Sequence, residues 1–145
     1  MILNRKTKKM IVRKILSIVC ILFALMMVNA GMNKFFHYMP MPEGLSNEAI
    51  QLMIAFESSN WLLPLIGIAE IVGGVLIAIP KFRALGALIM LPVMIGILLF
   101  NLTMAPQNAP IAVVLFIINI WAIIADREKF MVLINPSKVI TEAAE

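Results

Sequence analysis

The sequence predicts an all-α membrane protein, a four-transmembrane-helix bundle with a short interfacial helix between the first and second spans. Three observations carry that reading. Of the 145 residues 62% are hydrophobic, only 14% are charged, and the mean hydropathy is +1.00, which is too apolar for a water-soluble globule. Runs of 19 to 42 residues with at most one charge recur along the chain, each long enough for a helix to cross a hydrocarbon core of about 30 Å. Lys and Arg collect in alternate connections, as they do in multi-pass proteins.

The first span is predicted over about 15–36, opening on a 19-residue uncharged run from Ile15 to Asn33. Its basic leader, its apolar core and Val28-Asn29-Ala30 ahead of Gly31 also fit a secretory signal. The apolar pattern continues to Phe36 without a turn signal, which favours an uncleaved span. Pro40, Pro42 and Gly44 then break the helix, and Ser46 can cap a short interfacial helix over about 47–58, with Ile50, Met53 and Ile54 on its apolar face. The second span, about 61–79, follows Ser59 and Asn60, carries Pro64 in its first turn and stops at Pro80. From Ala84 to Ala125 no residue is charged, and Pro106 and Pro110 divide this stretch into spans of about 84–104 and 109–125. Pro92 predicts a kink near the middle of the third span. All of this makes a single integral-membrane domain over residues 1–145.

Orientation follows from the basic residues. Arg5, Lys6, Lys8, Lys9, Arg13, Lys14, Lys81, Arg83, Arg127, Lys129 and Lys138 fall on one side of the predicted topology and only Lys34 on the other. Both termini are therefore expected in the cytoplasm. The net charge of +4 has this topological explanation and gives no reason to expect nucleic acid as a partner.

One carboxyl interrupts the second span. Glu70 stands nine residues after Trp61, about 13 to 14 Å deep, where a charge costs roughly 2.5 to 3.5 kcal/mol. It shares a helix face with Gly67 and Gly74, small residues that allow a neighbouring helix to approach. The same count puts Asn29 at about 10 Å and Asn119 at about 15 Å, so Glu70, Asn29 and Asn119 are expected to form an intramembrane polar site. Asn33, Lys34, His37 and Asn101 form an expected outer tier. Lys34 is expected to snorkel to the surface rather than reach Glu70, across a depth gap of nearly 10 Å.

Absent chemistry narrows the function. Cys20 is the only cysteine and His37 the only histidine, so no zinc, iron–sulfur or bis-histidine haem site is expected within the chain, and no metal site is assigned. No phosphate-binding glycine loop or nucleophile elbow occurs.

Gly31-Met32-Asn33-Lys34-Phe35-Phe36 with Met39-Pro40-Met41-Pro42, and Trp61-Leu62-Leu63-Pro64-Leu65-Ile66-Gly67-Ile68-Ala69-Glu70-Ile71-Val72-Gly73-Gly74, resemble the DoxX family of small bacterial membrane proteins; Pro92-Val93 and Ile97-Leu98-Leu99-Phe100 fit the same pattern. The resemblance covers about Ile15 to Ala125. It implies a four-helix membrane bundle, with some relatives serving as the membrane subunit of a thiosulfate:quinone oxidoreductase and others joined to redox-stress complexes. Lys34 and Glu70 match family positions, whereas Asn101 and Gly96 stand where many members have His and Asn. The function so implied is a membrane component of a quinone-linked or redox-protective system, with a quinone or a soluble redox enzyme as partner and the lipid bilayer around it. A small solute transporter or permeability factor is one alternative, and a non-catalytic scaffold for a soluble partner is another. Homo-oligomers are compatible with all three.

Overall fold

A computed structural model describes residues 4–134, so the predicted basic position Lys138 lies outside the described residues. Among these residues all regular structure is helical: α1 Arg5–Phe36, α2 Asn47–Ser58, α3 Leu62–Ala78, α4 Arg83–Thr103, a 3-10 turn Pro106–Asn108, α5 Ala109–Ala125 and α6 Arg127–Ile134. By length and apolarity α1, α4 and the Pro106–Ala125 segment can each cross a membrane. The fourth candidate is the α2–α3 pair, which bends by 89° at its junction. At 17 residues α3 is about 25 Å long, slightly short of the hydrocarbon thickness.

The first helix begins ten residues before the predicted span, because the basic segment Arg5–Lys14 lacks any Gly or Pro and consists mostly of good helix formers. It ends where His37 adopts the left-handed conformation, φ 49° and ψ 41°, and its backbone N–H closes the last turn on the Asn33 carbonyl. Helix α2 starts as the cap signal predicts, with Ser46 Oγ accepting the Ala49 N–H at 3.2 Å and Glu48 in the first turn. Its inward face differs from the predicted one. Ala49 is buried, with Leu52, Met53 and Phe56 half-buried beside it, whereas Ile54 is exposed. The apolar stripe is thus rotated towards Ala49, whose small side chain enters the contact fully. Helix α4 continues through Pro92, which lies on an exposed face.

Helices α1, α3, α4 and α5 pack in succession, and α5 returns to α1 along a thinner seam. Their shared core contains Leu16, Cys20, Phe23 and Met27 of α1, Ile77 of α3, Ala87, Met90 and Met94 of α4, and Leu115 and Ala122 of α5. The opposite faces carry exposed Ile18, Leu25, Leu65, Leu99 and Ile117, apolar outside as well as inside. A helix that is hydrophobic all round suits lipid rather than water. In lipid the apolar drive between helices is weak, so close approach and van der Waals contact hold them together. Glycines provide that approach at two crossings. A Cβ on Gly31 would stand 2.7 Å from the Gly67 carbonyl oxygen, and a Cβ on Gly86 would meet the backbone of α3 at Ile77 and Gly73.

Candidate functional site: an ion pair between the first and third helices

Glu70 is 1% exposed and faces α1. Lys34 Nζ donates a hydrogen bond to Glu70 Oε2 at 2.6 Å, forming an ion pair in which the lysine side chain retains 22% exposure. The expected snorkelling of Lys34 is therefore wrong, for two reasons. Gly31 and Gly67 bring the helix backbones together beside the pair. Helical side chains also tilt towards their own N-terminus. On α1 that tilt points Lys34 towards the interior, and on the oppositely running α3 it points Glu70 towards the Phe36 end, so the two side chains lean together across the apparent depth gap.

Neither expected amide partner joins them. Asn29 lies on the same stripe as Ile18, Leu22 and Leu25, the exposed face of α1. Its backbone and side-chain oxygens accept the Tyr38 hydroxyl at 2.8 and 2.6 Å, and its amide meets Met39 Sδ at 3.6 Å. Asn33 Oδ1 accepts the Met39 N–H at 2.7 Å. The Asn29–Asn33 stripe thus clamps the chain as it folds back after His37. His37 itself is exposed, and Asn101 spends its amide on the Ile97 carbonyl of its own helix at 2.7 Å. Of the predicted outer tier only Lys34 reaches the buried acid.

Asn119 does point inward, on the face of α5 that also carries Leu115 and Ala122, and it is fully buried. Its level is wrong for Glu70. The α1–α5 seam places residues 19–26 of α1 against 110–118 of α5, whereas Glu70 packs beside Gly31, further towards the Phe36 end. The resulting separation from Asn119 is on the order of 15 Å along the bundle. Neither polar atom of the Asn119 side chain has a hydrogen-bond partner. A buried unpaired amide costs about 1–3 kcal/mol, so Asn119→Leu is expected to leave stability unchanged or raise it. Thermal unfolding in detergent checks this; a clear loss of stability would show that the amide is engaged.

Sequence reasoning missed a second polar cluster at the Arg5 end of the bundle. Arg83, 4% exposed, donates from Nη2 to Ser17 Oγ at 3.0 Å and from Nε to the Ile77 carbonyl at 3.3 Å. Lys129 donates to the Pro80 carbonyl at 2.7 Å and pairs with Asp126 at 3.3 Å. The signal was present in the spacing: Arg83, Ala87, Met90 and Met94 fall at i, i+4, i+7 and i+11, so Arg83 belongs to the buried stripe of α4.

Along the thin α1–α5 seam runs an apolar groove of about 460 Å³, lined by Leu22, Phe23, Met26, Ile111, Val114 and Ile118 among others. It is open to the surroundings of the bundle and contains no charged side chain.

A family model, DoxX, matches residues 15–104, well over half of the chain. The chain belongs to the DoxX family. The matched segment of this DoxX protein contains Gly31, Lys34, Gly67 and Glu70, and therefore the whole α1–α3 contact that holds the ion pair. It stops before α5, so Asn119 lies outside it. No curated protein and no solved structure matches the chain.

Proposed function

We propose that this DoxX protein crosses a bacterial cytoplasmic membrane four times, with both termini in the cytoplasm, and serves as the membrane component of a quinone-linked or redox-protective system. The observation that carries the reading is the Lys34–Glu70 ion pair, held at 2.6 Å between two apolar helices. Ion pairs in such surroundings are costly, and intramembrane ionisable groups mark proton and ligand pathways. The basic residues at the Arg5 end, in the α3–α4 connection and in α6 support the orientation.

A bound quinone supplies two-electron, two-proton redox chemistry, with electrons delivered by a soluble redox enzyme. The residues present fit such a ligand. The α1–α5 groove matches a prenyl tail in polarity; it begins about 12 Å from Lys34 along α1, so the tail and not the headgroup would occupy it. An ammonium carries three donors and Lys34 directs one to Glu70, so a further N–H is available for a carbonyl oxygen of the headgroup. Glu70 holds or releases the proton, and Lys34 stabilises its charged form.

The test is the quinone content of gently extracted protein. Wild-type protein is expected to retain quinone near stoichiometry, and Glu70→Gln to lose both the quinone and the dependent activity while keeping its helical content. Equal quinone content in wild type and in the Lys34→Met/Glu70→Leu variant would overturn the proposal.

A further inference from the structure

The basic segment ahead of the apolar part of α1 is helical, not an unstructured leader. Arg5, Lys6, Lys8, Lys9, Arg13 and Lys14 are all exposed on this helix, and no acidic residue occurs before Glu43. Among the described residues the only ion pairs are Lys34–Glu70 and Lys129–Asp126, so none of these six charges is neutralised by the described protein. Arg5, Lys6, Lys9 and Arg13 fall on one face, and Ile11 and Ile15 on another.

Length sets where these charges stand. The 32 residues of α1 extend about 48 Å, against about 40 to 45 Å for a bilayer including its headgroups. With Ile15–Phe36 filling the hydrocarbon, Arg13 and Lys14 enter the headgroup layer. Arg5 to Lys9 reach through it to the surface, about one Debye length from the phosphates.

We propose that the Arg5–Lys14 turns of α1 are a binding surface for anionic phospholipid headgroups, which gather around the helix where it leaves the membrane. The occupant follows from charge complementarity: a rigid, wholly cationic rod held at headgroup depth faces phosphate groups before it faces anything else. A disordered basic tail would spread the same charge over a larger volume; the continuous helix fixes it beside its own lipid annulus. Each engaged Lys or Arg contributes about five-fold in association with an anionic surface.

The experiment reconstitutes the full chain in phosphatidylcholine vesicles containing trace spin-labelled phosphatidylglycerol or phosphatidylcholine, and compares the motionally restricted fraction of each. At 0.1 M salt the wild type is expected to prefer phosphatidylglycerol several-fold. In R5Q/K6Q/K8Q/K9Q, which keeps Arg13 and Lys14 at the headgroups, that preference falls but stays above one. Raising wild-type samples to 1 M salt, where the screening length shrinks from about 10 to about 3 Å, has the same effect without any substitution. A preference unchanged by both treatments overturns the proposal. So does unchanged lipid preference accompanied by salt-sensitive loss of a soluble acidic protein, since the surface would then serve a protein partner.

Discussion

Lys34→Met is expected to destabilise the folded protein by about 2.5–3.5 kcal/mol, because it leaves the Glu70 carboxyl buried without its cation. The double variant Lys34→Met/Glu70→Leu is expected to recover most of this loss, since an apolar pair of similar volume removes both desolvation costs at once. Reversible unfolding in mixed micelles measures both. The prediction follows from the asymmetry of burial: Glu70 is 1% exposed and has the lysine as its hydrogen-bond partner, whereas Lys34 at 22% can still reach polar surroundings. If the double variant were as unstable as the single one, the pair would contribute packing and not charge neutralisation.

Gly31→Leu attacks the same site from the backbone. A Cβ at this position would lie 2.7 Å from the Gly67 carbonyl oxygen and 2.8 Å from Ile71, within a contact that has rigid backbone on one side. Relief requires α1 and α3 to move apart, at a cost of about 1–3 kcal/mol for overpacking. The separation also lengthens the Lys34–Glu70 contact. Gly31→Leu is therefore expected to show both the loss of stability and, in the quinone-retention assay, the same loss of ligand that is expected on changing Glu70. Gly96→Leu is the control, because a Cβ there meets nothing within 4 Å. Equal effects at the two glycines would remove the helix-contact argument.

The helices were legible in the sequence wherever turn chemistry and apolar runs agree. Helix α2 opens behind Ser46, and Pro106 and Pro110 mark the start of α5. The start of α1 was not legible from hydropathy, since hydropathy tracks where lipid begins and not where the backbone becomes helical. The site was half legible. Glu70 stood out by its charge, and Gly67 and Gly74 beside it indicated a close helix contact. Its partner was misjudged because depth was counted at the Cα positions, ignoring the N-terminal tilt of helical side chains. The spacing of α1 held the answer: Lys34 lies on the stripe of Cys20, Met27 and Gly31, all buried, while Asn29 lies on the exposed stripe of Leu22 and Leu25. Arg83 was passed over for a related reason, its charge having already been given a topological role. Asn119 is buried but was placed with Glu70: which level of a neighbouring helix it meets depends on helix register, and single-helix periodicity contains no information about register.

The charged pair between α1 and α3 is the centre of this account. Its most direct measurement is the magnetic dipolar coupling between ¹⁵N at Lys34 Nζ and ¹³C at the Glu70 carboxyl in bilayer-embedded protein, with Glu70→Gln as the reference sample. A strong coupling, of the size that a 2.6 Å Nζ–Oε2 contact requires and absent from the reference, is the predicted result. No coupling at Glu70 in the wild type, with the lysine signal reporting a solvated ammonium at the membrane surface, would contradict it.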